Sequence, residues 1–222
     1  MIQRASPADI QAVIFDFDGT LAVQTLDFGH MRDRAMEALS RYAPVSAVPS
    51  QPAMEELDRF CAALDADTAA KARQAALAAI EDVELEAARR SSVFPPVRPV
   101  LAALRERNIP CAIITRNILK AMRLVFPDVE EHFACILTRD DVDNVKPHPE
   151  HLRKALEIIG CPPERALMVG DHPMDIEVGK KVGTLTAGVG CGHVSLEVLA
   201  RENPTWLADD VGQLMRNIGL MD

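Results

Sequence analysis

Short apolar runs that alternate with helical periodicity constrain this chain more than any other feature. Val13–Phe15, Cys111–Thr115, Cys135–Thr138, Ala166–Gly170 and Leu185–Val189 are each three to five residues long and read as buried strands. Residues 97–107, 118–126, 149–159, 174–182 and 195–202 carry apolar side chains at helical spacing between or after those runs. Strands that are apolar on both faces must be covered on both faces, and strands separated by helices run parallel. The expected architecture is therefore α/β, a doubly wound parallel-sheet core. Punctuation agrees: Asn108 and Pro110 stop the helix that ends in Arg105-Glu-Arg107, and Pro147 and Pro149 open the next one, which carries His151, Leu152, Ala155 and Leu156.

One stretch breaks the alternation. From about Asp27 to Arg90 no strand signal occurs, and alanine, glutamate and arginine dominate. Met31, Ala35, Ala38 and Leu39 form one helical stripe. Leu57, Phe60, Cys61 and Leu64 form another, and Leu77, Ile80 and Leu85 suggest a third. Tyr42–Pro52, with three prolines, reads as a loop. The expected division is an α/β core domain over residues 1–22 and 92–222, with an all-helical domain over 23–91 inserted after the first strand. That insertion point is the carboxyl end of a strand, where open α/β sheets bind ligands.

Chemistry-bearing residues cluster just past the strand ends. Asp16 and Asp18 follow Val-Ile-Phe, and side chains two apart on a strand point the same way, so both carboxylates can converge. Like charges that close need a cation or a shared proton, although a solvated acidic turn would give the same local pattern. Thr115-Arg116-Asn117 follows Ala-Ile-Ile, Lys146-Pro147 follows the run at 135–138 and an acidic loop, and Gly170-Asp171-His172-Pro173-Met174-Asp175 follows Leu-Met-Val. Taken singly, Lys146 reads equally as a surface lysine and Thr115 as a strand-end hydroxyl. Gathered on one sheet edge, the set can hold a magnesium ion and a phosphate. His148 and His151, three apart at a helix start, are expected at the surface, since no third metal ligand is in view. His172 would hydrogen-bond near the metal or face water. The run Asp140-Asp141-Val-Asp143 reads as a solvated loop.

Composition excludes several classes. A net charge of −9 argues against a general nucleic-acid binder. No segment is long and apolar enough for a membrane span, and the first residues lack the apolar stretch of a signal peptide. The five cysteines are scattered, with no Cys-x-x-Cys pair, so neither a disulfide framework nor a zinc site is expected, and a cytoplasmic location fits best. Hydrophobic residues at 48% suffice for a sizeable core.

Asp16-Phe-Asp-Gly-Thr-Leu21, followed in order by Thr115, Lys146 and the Gly170-Asp171…Asp175 segment, resembles the haloacid dehalogenase superfamily, most of whose members are magnesium-dependent phosphatases. The likeness covers nearly the whole chain outside the insert, which itself resembles the helical cap of the phosphoglycolate-phosphatase-like branch. The resemblance implies that Asp16 is a nucleophile that forms an aspartyl-phosphate, and that Asp18 is the acid and base. It implies Mg2+ held by an Asp16 carboxylate oxygen, the Asp18 backbone carbonyl and Asp171, with Asp175 behind the metal or reaching it through water. It implies that Thr115 and Lys146 bind phosphoryl oxygens, with Gly19, Arg116 and Asn117 also lining the phosphate site. Arg32 and Arg34 on the first insert helix are further candidates for a substrate anion, with a solvated helix face the expected role of at least one.

Superfamily dehalogenases lack the second aspartate and phosphonatases replace it, so Asp18 argues against both. Arg116 departs from the small residue or asparagine of many relatives, and Pro96 replaces a glycine common at the return from the cap. The implied partner is a small phosphorylated metabolite, with no nucleic acid and no membrane, and the protein is expected as a monomer or homodimer. A phosphomutase of the same superfamily and a catalytically silent binding protein are the competing expectations.

Overall fold

The computed structural model describes residues 9–44 and 53–222. The first eight residues and most of the expected 42–52 loop lie outside the described residues. Tertiary contacts divide the chain into two compact units, one running up to Gln24 and from Ser91 to Asp222, the other Thr25–Arg90.

The first unit is built on six parallel strands: β1 (Ala12–Phe15), β2 (Cys111–Ile114), β3 (Cys135–Leu137), β4 (Ala166–Gly170), β5 (Leu185–Val189) and β6 (Trp206–Ala208). Their order across the sheet is β3-β2-β1-β4-β5-β6, so the chain's first strand lies in the interior of the sheet. Such an order forces every connection to cross over through a helix, which is the doubly wound architecture expected from the alternating pattern.

The two-residue period of the strands sorts their side chains onto two cores. Val13, Phe15, Cys111, Ile113, Leu167 and Val169 face one side, where Val100 and Leu104, Met122, and Leu214 and Met215 cover them from helices Val97–Glu106, Leu119–Val125 and Val211–Asn217. Ala12, Ile14, Ala112, Ile114, Ala166 and Met168 face the other side, against Leu152, Ala155 and Leu156 of Pro149–Ile159 and Val178 of Pro173–Val182. Full burial of such residues contributes about 1.5–3 kcal/mol per large aliphatic side chain. The last strand and the last helix have no counterpart in the sequence reading. The strand has only three residues and half-exposed members, and the helix has seven with a glycine among them.

Helix Val97–Glu106 ends as the sequence suggests. Asn108 takes a left-handed backbone (φ +55°), its N–H donates to Arg105 O, and the Ile109 N–H donates to Leu104 O. Both bonds satisfy carbonyls that the helix terminus would otherwise orphan. The chain leaves and re-enters the first unit through paired backbone: Val23 N–H donates to Ser92 O, and Phe94 N–H to Leu21 O.

The second unit is helical throughout its described residues: α1 (Phe28–Leu39), α2 (Ala53–Ala62) and α3 (Ala66–Ala88). Asp27 and Asp65 cap the N-termini of α1 and α3 by accepting from His30 and Thr68 N–H groups. Met31, Ala35, Leu39, Leu57, Cys61, Ala72, Ala76 and Ile80 form its core, and alanines at 35, 72 and 76 let α1 lie close along α3. Arg32 pairs with Asp33 and Arg34 with Glu37 within this unit. No described helix is long and apolar enough to cross a membrane.

Candidate active site

Parallel pairing brings the carboxyl ends of the strands to one edge. Phe15 is in register with Ile113 on β2 and Val169 on β4. The ladder continues one residue beyond β1, where the Asp16 N–H donates to Val169 O at 2.9 Å. Beyond β2, Thr115 N–H donates to Leu137 O at 3.0 Å. Asp16 and Thr115 are thereby fixed by sheet hydrogen bonds and are both buried.

Lys146 connects the two arms of the site. Its Nζ lies 2.5 Å from Asp16 Oδ1 and 2.7 Å from Asp175 Oδ1, and the lysine is 2% exposed. Burial acts to lower the lysine pKa, but the two carboxylates outweigh it and hold the ammonium above its ordinary value. Breaking such a buried pair by removing one partner costs about 3–5 kcal/mol, because the remaining charges are left uncompensated. Asp16 Oδ1 also accepts the Phe17 N–H at 2.7 Å. The Lys146–Pro147 peptide bond is cis.

Asp171 and Asp175 complete the acidic side. One oxygen of each lies within 4.8 Å of the others and of one from Asp16. Burial, followed by the Asp16 and Asp175 charges, pushes the Asp171 carboxyl well above its usual range. Asp175 moves the same way, by burial first and Asp16 next, against the pull of Lys146. Both oxygens of Asp175 are engaged: Oδ1 by Lys146, and Oδ2 by the His172 N–H at 3.1 Å, at the start of helix Pro173–Val182. Asp171 Oδ1 accepts the Thr20 hydroxyl at 3.3 Å.

Two glycines make room for Asp171. A Cβ on Gly19 would stand 2.4 Å from its Oδ2, and one on Gly192 only 1.8 Å away. Gly19 is doubly constrained, because its φ of +80° lies in the left-handed region. Three buried carboxylates with oxygens within 4.8 Å of one another suit a hard cation that prefers oxygen ligands. The residues present therefore fit a magnesium ion.

Asp18 stands apart from this cluster. It is half-buried, and its carboxylate accepts both hydrogen bonds of Asn117 Nδ2, at 3.2 and 3.0 Å. The Asn117 side-chain oxygen takes the Ile118 N–H at 2.7 Å, which fixes the amide orientation. Asn117, expected among the phosphate contacts, directs its side-chain amide to Asp18. Its N–H donates to the Thr115 hydroxyl oxygen at 3.0 Å. Arg116 is half-buried beside them, and its backbone carbonyl accepts from Arg139 Nη1 at 3.4 Å.

The two neighbouring histidines separate in role. His148 is an exposed helix cap whose Nδ1 accepts the Glu150 N–H. His151, expected at the surface, is instead fully buried. Its Nδ1 accepts the Lys146 N–H at 3.2 Å, and its Nε2 faces Leu137 O at 3.0 Å. Burial lowers its pKa to about 4, so the ring is neutral near pH 7 and donates through Nε2–H. His151 continues the apolar stripe of Leu152, Ala155 and Leu156, and that spacing was the signal of its inward direction. His172 caps its helix, with Nδ1 accepting the Met174 N–H. In the acidic run, Asp141 Oδ2 accepts from both the N–H and the hydroxyl of Thr138, which closes the turn after β3. All five cysteines are free thiols.

Known proteins similar to this chain are numerous. The chain is 35% identical over 129 residues to pyrophosphatase PpaX of Anoxybacillus flavithermus, a match that covers 57% of this chain and 60% of that protein. It is 36% identical over 124 residues to pyrophosphatase PpaX of Bacillus cereus, covering 55% and 57%. The match thus spans about three fifths of the length of these relatives. Among solved structures, a hydrolase from Pseudomonas syringae superposes with a TM-score of 0.69 at 20% identity, over 94% of this chain and 98% of that one. CbbY from Rhodobacter sphaeroides in complex with phosphate gives 0.65 at 23% identity, over 92% and 96%. These structures share the fold. A model of the haloacid dehalogenase-like hydrolase family matches residues 10–183, which include every site residue named above except Gly192. The chain belongs to the haloacid dehalogenase-like hydrolases.

Proposed function

We propose that this protein is a cytoplasmic, magnesium-dependent phosphatase that hydrolyses a small phosphorylated metabolite through an aspartyl-phosphate. The observation that carries this reading is the contrast between its first two aspartates. Asp16 is buried against Lys146, whereas Asp18 is half-buried and held by the Asn117 amide. Two carboxylates in unlike surroundings are suited to unlike tasks.

An Asp16 oxygen attacks phosphorus, and the bond from phosphorus to the leaving oxygen breaks. Asp18 gives its proton to that oxygen. The Asp18 carboxylate next takes a proton from the water that attacks the aspartyl-phosphate, which releases inorganic phosphate and restores Asp16. The Thr115 hydroxyl and Lys146 ammonium hold phosphoryl oxygens, and Gly19 lets the turn approach closely. Asp16, the Asp18 carbonyl and Asp171 would hold the magnesium, with Asp175 acting through Lys146 and the helix cap. The ion supplies charge neutralisation for the phosphoryl group. The Thr25–Arg90 unit is proposed as a cap that selects the substrate.

The curated relatives are named pyrophosphatases, so inorganic pyrophosphate is the first natural substrate to test. Purified protein with magnesium is expected to release phosphate from p-nitrophenyl phosphate or pyrophosphate, to stop with EDTA, and to lose turnover in Asp16→Asn. Isomerisation of a sugar phosphate without phosphate release would instead indicate a phosphomutase. No turnover of either kind would leave a binding protein.

A further inference from the structure

His151 has no assigned part in the chemistry, yet its ring ties the backbones of two residues that do. Lys146 N–H donates to His151 Nδ1 at 3.2 Å, and His151 Nε2 donates to Leu137 O at 3.0 Å. The same carbonyl accepts the Thr115 N–H at 3.0 Å. One backbone oxygen at the end of β3, with both its lone pairs used, therefore ties the Thr115 backbone directly and the Lys146 backbone through one rigid ring.

We propose that His151 is a positioning residue that sets Lys146 against Thr115 in the phosphate site. The proposal rests on the function proposed above, in which those two residues bind phosphoryl oxygens. A neutral imidazole offers one acceptor and one donor at a fixed angle, which is what this bridge requires. Pro147 has no N–H, so the Lys146 N–H is the backbone donor nearest the ammonium-bearing side chain by which this loop can be fixed. Lys146 is then held at both ends, by His151 at its backbone and by Asp16 and Asp175 at its Nζ. The ring itself sits in the first turn of helix Pro149–Ile159 and is fully buried, so it has little freedom to yield. Small displacements of a positioning group are costly in rate.

The test compares His151→Leu and His151→Asn with wild type, using p-nitrophenyl phosphate for turnover, inorganic phosphate as competitive inhibitor, and melting temperature for folding. Leucine fills the space without an acceptor, whereas the asparagine Oδ1 can still accept from Lys146. His151→Leu is expected to lower kcat/KM by about 10- to 100-fold and to weaken phosphate inhibition in parallel, with His151→Asn losing several-fold less. A core-filling role predicts the reverse order, because an apolar side chain is easier to bury than an amide. Turnover in His151→Leu equal to wild type, or activity that follows only the melting temperature, overturns the positioning role and leaves the function standing. A wild type that turns over no phosphate ester overturns both. Should His151→Leu fail to fold, histidine-selective nitrogen NMR of the wild type near neutral pH decides. A bare Nδ1 and protonated Nε2 are expected, and a proton on Nδ1 overturns the bridge.

Discussion

Asn117 donates its side-chain amide to both carboxylate oxygens of Asp18, at 3.2 and 3.0 Å. The two residues are separated by 99 positions, so only the pairing of β1 with β2 brings them together. Asn117→Leu should remove this two-fold amide contact to the Asp18 carboxylate. The expected result is a fall in kcat of about 10-fold, a fraction of what general acid–base catalysis supplies, with KM little changed. The loss should be larger for an alkyl phosphate than for p-nitrophenyl phosphate, whose leaving group needs less protonation. Steady-state kinetics on both esters checks this, and equal losses on both would separate Asn117 from proton transfer.

Gly192→Ala introduces a Cβ that would stand 1.8 Å from Asp171 Oδ2. The carboxylate must move, since such overpacking cannot be absorbed in place. The magnesium concentration for half-maximal activity should rise by about 10-fold, with activity recovered at high magnesium. A magnesium titration of the variant would measure it.

The buried His151 makes stability depend on pH in a defined window. Its folded pKa of about 4 lies below the unfolded value of 6.5, so the unfolded chain takes the proton first. The contribution is fully present above about pH 6.5 and is lost as the pH falls toward 4, by about 3 kcal/mol in all. Asp171 and Asp175, whose pKa values are raised, act in the opposite direction over part of that range. Denaturant unfolding should therefore be compared between wild type and His151→Asn. The difference between the two should shrink as the pH falls, and a constant difference would contradict a buried neutral ring.

Asn108 holds a left-handed backbone at the end of helix Val97–Glu106. Asn108→Gly removes the steric penalty at that φ while keeping both terminal hydrogen bonds. The variant should gain about 0.5–1 kcal/mol in denaturant unfolding, with unchanged activity.

The strands and the site edge were legible because their signals are local. Continuous apolar runs marked β1 to β5, and the polar residues that follow them reached the same edge once the strands were parallel. The final strand at Trp206–Ala208 was not legible, since three residues at a sheet edge carry neither a continuous run nor a full alternation. The bond from Asn117 to Asp18 was not legible for a different reason. The neighbours Thr115 and Arg116 suggest a phosphate loop, and the actual partner of Asn117 is supplied by a distant strand. His151 is expected at the surface for want of a third metal ligand, yet it is fully buried. The stripe it shares with Leu152, Ala155 and Leu156 gives the better reading.

β1 lies between β2 and β4, and Val13 meets Cys111 while Ala12 meets Ala166. A ribosome therefore delivers this interior strand about 98 residues before one partner and about 154 before the other. Pairings so distant along the chain are slow to close. Until Ala166–Gly170 emerges, the newly made segment carries an unpaired apolar strand edge, the feature that exposes nascent chains to aggregation.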